Sequence, residues 1–154
     1  MRRMSPLRWI WVALLIVTAL TACSGAPKLS DDGRLVRDVH ALIGELERAY
    51  ERRDRPAFMA GVAAQFPGRD ALQGSADAAF ERFSHIELAL TVERVHLEGK
   101  TATVYLHWDG QWRASADQPI VRQGTARFVV DAEIRPLLTA VLGDNPFAVS
   151  PARL

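Results

Sequence analysis

Ile86 to Trp108 reads IELALTVERVHLEGKTATVYLHW. Ile86, Leu88, Leu90 and Val92 alternate with Glu87, Ala89, Thr91 and Glu93, the two-residue period of a strand with one buried and one wetter face. After Glu98-Gly99-Lys100, a polar turn whose glycine is free to take positive φ, alternation resumes. Ala102, Val104, Leu106 and Trp108 then face away from Thr101, Thr103, Tyr105 and His107. The stretch is a β-hairpin. Its phase changes once, because Val95 and Leu97 carry the apolar set on the other parity. A one-residue slip turns every side chain over unless the strand bulges, so a β-bulge is expected near Glu93-Arg94.

Downstream, Asp109 to Pro119 is polar apart from Trp112 and reads as a loop or an extended edge. A large aromatic there has no evident burial partner, which makes Trp112 a candidate for a pocket mouth or a contact surface. Trp108 falls on the core parity. Ile120 to Asp131 gives another strand, with Ala126, Phe128 and Val130 on one side. Ile134 to Leu142 fits both periods: Ile134, Leu137, Leu138, Val141 and Leu142 suit a helix stopped by Gly143, while Leu138, Ala140 and Leu142 suit a strand.

Upstream, Ser30, Asp31 or Asp32 can cap a helix whose apolar stripe is Leu35, Val39, Leu42, Ile43, Leu46, Ala49 and Tyr50. Arg37, Glu45, Arg48, Glu51 and Arg52 mark its solvated side. Asp54 and Pro56 open a second, short helix around Phe58, Met59, Val62 and Ala63, broken by Gln65-Phe66-Pro67-Gly68. A third helix is expected over Ala76 to Ser84, capped by Ser75 and burying Phe80 and Phe83.

The chain has 154 residues, 49% of them apolar and 24% charged, which suits one globular domain. Its first 22 residues read differently. Arg2, Arg3 and Arg8 precede an apolar run from Trp9 to Leu20, too short for a comfortable membrane span but suited to a signal-peptide core. Leu20-Thr21-Ala22-Cys23 resembles the lipobox of bacterial lipoproteins, in which the cysteine is lipidated and becomes the new amino terminus. The expected organisation is a signal peptide at 1–22, a lipidated tether at 23–30 and a domain at 31–150. Cys23 is the only cysteine, so no internal disulfide is available. By the same resemblance, Ser24 after the cysteine favours the outer membrane, facing the periplasm. Losing three of the 19 basic residues with the leader leaves 16 against 18 acidic ones, a net charge near −2. No basic stripe with interleaved aromatics suggests a nucleic-acid partner.

The order of long helix, two short helices and curved antiparallel strands ending in Gly143-Asp144-Asn145-Pro146-Phe147 resembles the nuclear transport factor 2-like superfamily, which includes ketosteroid isomerase and the polyketide cyclases. Ala49-Tyr50-Glu51 with Asp54, and Gly124 before Thr125, fit its pattern. The resemblance implies an α+β fold in which N-terminal helices pack on a curved antiparallel sheet as a cone, and it favours a strand at 134–142. It also departs from the family, because Arg135-Pro136-Leu137-Leu138 stands where a Trp-Lys/Arg-Ile strand is common, and a proline belongs at a strand's start or edge. The resemblance further suggests a homodimer through the sheet.

Ketosteroid isomerase uses a tyrosine and two aspartates inside such a cone. Tyr50, Tyr105 and Asp109 are the nearest residue types here, and none matches that motif. His40, His85, His96 and His107 lack metal-ligand spacing, with His96 and His107 expected to face each other across the hairpin. His107 and Asp109 can share one strand face. No phosphate loop, serine nucleophile motif or metal helix appears, so no cofactor is expected. The sequence thus points to a lipid-anchored envelope protein acting without catalysis as a binding or assembly module. Tyr50, Tyr105, His107, Asp109 and Trp112 are its candidate pocket or contact residues, Cys23 its lipidation site, and an envelope protein its expected partner. The alternatives are a binder of a small apolar ligand in the cone and an enzyme of the isomerase or dehydratase kind.

Overall fold

The computed structural model describes residues 30–115 and 118–149. The leader, Cys23 and the tether as far as residue 29 lie outside the described residues. Three helices precede four strands: α1 (Asp31–Glu51), α2 (Arg55–Ala60), α3 (Arg69–Arg82), β1 (His85–Glu98), β2 (Thr101–Arg113), β3 (Ile120–Asp131) and β4 (Leu137–Gly143). The strands make one antiparallel meander in the order β1-β2-β3-β4. This is the expected α+β arrangement.

The stripe on α1 is buried from Val39 to Tyr50, with Leu35 packed half-buried at its start. Asp54 caps α2, its carboxylate accepting from the Ala57 N–H at 3.1 Å, and Pro56 sits in the first turn where no donor is needed. An ion pair between Arg55 and Asp77 ties α2 to α3. α3 departs from expectation by starting at Arg69 rather than Ala76, entered through Gly68 at φ 72°. Ser75, expected as the cap, lies inside the helix together with Gly74, because an interior glycine costs only about 1 kcal/mol against alanine and burial of Leu72, Ala76 and Ala79 outweighs it. Phe83 is buried and Phe80 half-buried.

The hairpin turns at Gly99-Lys100, with Gly99 at φ 62°. Pairing passes from Val92 with Leu106 to Arg94 with Tyr105, leaving Glu93 as the extra residue of the expected bulge. Beyond it Val95 and Leu97 return to the inner face, opposite Val104 and Ala102. His96 lies opposite Thr103, and His107 opposite Thr91, so the two histidines do not meet. β2 does not stop at Trp108 but runs on through Arg113, so of the two readings of this stretch, a loop or an extended edge, 109–113 is extended, inside the sheet between β1 and β3. In 134–142 the strand reading holds from Leu137, just after Pro136. A second register shift leaves Thr139 unopposed, its hydroxyl donating to the Val129 carbonyl at 3.0 Å. Both irregularities are of the kind that bends a strand and increases its twist.

Candidate functional site

The five candidate residues divide between the inside and the outside of the sheet. Tyr50 and Trp112 are inside and fully buried. The placement of Trp112 corrects the reading of its stretch as polar and open. Leu106, Trp108, Gly110 and Trp112 share the inner parity, and Gly110 leaves the space in which the Trp112 indole lies. A Cβ on Gly110 would stand 2.1 Å from the ring's Cη2. Trp108 uses Gly124 of β3 in the same way, with an added Cβ 2.9 Å from its ring, and its Nε1–H donates to the Asp144 carbonyl at 2.8 Å.

Asp144 belongs to the turn that closes the cone. Gly143, at φ 87°, lets the chain leave β4 sharply. Asp144 then exchanges backbone and side-chain bonds with Thr125, and the Phe147 N–H donates to the Asn145 side chain at 3.0 Å. Phe147 is thereby driven inward. Its ring lies 4.8 Å from Phe58, 5.2 Å from Tyr50 and 5.8 Å from Phe128, between centroids. These aromatics, with Trp112, take up the space between helices and sheet.

Among these packed aromatics, Tyr50 and Trp112 each carry one side-chain polar atom. The Tyr50 hydroxyl stands 3.5 Å from the Phe147 carbonyl, at the long limit for a hydrogen bond, and burial pushes its pKa up to about 12. The Trp112 indole N–H faces the phenol and moderates that rise, yet makes no hydrogen bond of normal geometry. A neutral phenol and an indole offer neither a base nor a nucleophile at ordinary pH.

Tyr105, His107 and Asp109 are brought together on the outer face of β2, and the bulge supplies their neighbours. An extra residue at Glu93 sends both Glu93 and Arg94 outward. The Arg94 guanidinium lies 4.1 Å from the centre of the Tyr105 ring. His107 sits between two carboxylates, Nδ1 3.4 Å from Glu93 and Nε2 3.8 Å from Asp109. These side chains are 44 to 59% exposed, so water screens the pairs and their worth lies in placing groups rather than in stability. Among the described residues no three His, Cys, Asp or Glu side chains are arranged to hold a metal ion.

Glu47, which sequence reasoning did not single out, and Glu51, which it placed on the solvated side, bind the sheet's edge. Glu47 and Glu51 of α1 accept from the backbone N–H groups of Leu90 and Leu88, at 2.7 and 3.0 Å. Glu51 is therefore not on a freely solvated side. The only sequence signal was their four-residue spacing. Hollows outside the cone include one of about 390 Å³ between α3 and β4, lined by Phe66, Leu72, Val141 and Leu142 among others, none of them charged. Another, of about 300 Å³, lies over β1 and β2 beside Glu51, Glu87 and Asp109.

No protein-family model matches the chain, and no curated protein matches it. Solved structures do. A nuclear transport factor 2-like superfamily protein from Salmonella enterica superposes with a TM-score of 0.63 at 13% identity, over 78% of this chain and 96% of that one. A protein described as a candidate dehydratase of that family, from Streptomyces avermitilis, gives 0.60 at 17% identity, over 70% and 94%. The beta subunit of the benzoate 1,2-dioxygenase from Burkholderia mallei gives 0.58 at 12% identity, over 74% and 97%. At such identities the likeness is one of fold. The helices and curved antiparallel sheet are those of the nuclear transport factor 2-like cone.

Proposed function

We infer, from a nuclear transport factor 2-like cone filled by its own side chains, that this chain is a lipid-anchored envelope protein working as a non-catalytic binding or assembly module through the outer face of its sheet. The observation that carries the reading is the aromatic packing of Tyr50, Phe58, Trp112, Phe128 and Phe147. Rings packed this closely inside the cone support a binding role outside it over the small-ligand and isomerase or dehydratase alternatives. The exposed group of Glu93, Arg94, Tyr105, His107 and Asp109 offers both charges and an aromatic ring, the kind of surface on which a few residues dominate affinity. The use of this fold as a subunit of a larger enzyme in Burkholderia mallei supports an assembly role by analogy. The anchor rests on the lipobox-like Leu20 to Cys23 after the apolar run, and several acyl chains on one residue would hold the domain at the membrane. Its place is the outer membrane, facing the periplasm.

A photo-cross-linking residue placed at Tyr105, and for comparison at the exposed Glu81 on α3, tests this in cells. A discrete adduct is expected from Tyr105 and not from Glu81, and its mass separates an envelope partner from a second copy of the chain. Cys23→Ser should abolish palmitate labelling and weaken the adduct. Identical adduct patterns from both positions, or a metabolite that co-purifies inside the cone, would contradict the reading.

A further inference from the structure

β1 is an edge strand. Leu88 and Leu90 bury their side chains on the inner face, while their N–H groups point away from β2 to the carboxylates of Glu51 and Glu47. The match is metric: four residues along a helix advance about 6 Å, and two residues along an antiparallel strand about 6.8 Å. The opposite edge is covered differently. There Leu138 donates to the Gly61 carbonyl and accepts from the Ala63 N–H, each at 2.9 Å, so backbone covers backbone. On β1, among the described residues, it is side chains, those of Glu47 and Glu51, that hold the Leu90 and Leu88 N–H groups.

We propose that Glu47 and Glu51 guard the β1 edge, and that their release turns it into a pairing edge for β1 of a second copy. The strand is self-complementary in one of the registers that pair its outward N–H groups. An antiparallel pair centred on Ala89 sets Leu88 of one copy against Leu90 of the other and Ile86 against Val92, apolar to apolar on the inner side. On the outer side it sets Glu87 against Thr91, so no like charges oppose. Charge-assisted bonds to the carboxylates keep this edge occupied within the single copy.

The test uses the full chain with Cys23→Ser throughout, so that lipid does not alter its mass. Sedimentation is followed across a dilution series. Glu47→Ala with Glu51→Ala should double the mass of the sedimenting species relative to the parent, reversibly on dilution. Glu47→Gln with Glu51→Gln should stay with the parent, because the amide oxygen still accepts. Adding Ala89→Lys to the alanine pair should abolish the doubling, since two lysines then meet at the twofold axis. An alanine pair that is folded by circular dichroism and sediments like the parent overturns the proposal, as does a doubling that Ala89→Lys leaves untouched. Should the alanine pair fail to fold, Glu47→Ala and Glu51→Ala singly must show a weaker association, and folded single variants that sediment like the parent would equally overturn it.

Discussion

Tyr50 is the residue at which packing meets chemistry. Its phenol ionises at the ordinary value of 10.0 when unfolded, while burial among Phe58, Phe80 and Phe147 raises the folded value to about 12. Between those values the unfolded chain holds fewer protons, so the stability tied to this phenol is full below pH 10 and falls as pH rises towards 12. The loss is at most about 2 to 3 kcal/mol, at about 1.4 kcal/mol per pH unit. Urea denaturation near neutrality and at about pH 11 should show a larger fall for the parent than for Tyr50→Phe, and equal falls would mean that the phenol is open to water. That Tyr50 lies on a buried stripe is legible from helical spacing. Trp112 was not legible in this way, because the inner position before it is Gly110. A missing side chain reads as a break in alternation, whereas here it is the space that the indole occupies.

Elements were legible where the signal is local. The two-residue period, the turn at Gly99 and the change of phase at Val95 are all written within the hairpin, and the structure follows each of them. The bulge does more than bend β1, since it puts Glu93 and Arg94 beside His107 and Tyr105 and so builds the outer group. The start of α3 and the role of Glu51 were not legible. The first depends on burial of Leu72, and the second on a strand 37 residues further along. The inner face assigned from periodicity can be checked at Leu46, Leu90 and Leu106, all buried. Each changed to alanine should cost about 2 to 5 kcal/mol, the usual range for leucine in a packed core. Denaturation losses below about 0.5 kcal/mol at all three would mean that the sheet is facing the other way.

For the molecule as a whole, the question is whether the cone is a vessel or a core. Order of elements was enough to suggest the cone, but not its contents, because the plug comes from opposite ends of the domain: Phe147 reaches Tyr50 across 97 residues of sequence. A short turn, Gly143 to Phe147, thus carries a ring into the interior against Tyr50 and Phe58. Trp108 and Trp112 report on that interior directly. In a chain carrying Trp9→Phe and Trp11→Phe, they are the only tryptophans left, and both are buried. Acrylamide quenching of their fluorescence is therefore the most direct measurement. A filled cone predicts blue-shifted emission that resists quenching until the domain unfolds. Red-shifted emission quenched as readily in the folded protein as in the unfolded chain would show an open, wet cone and contradict the account.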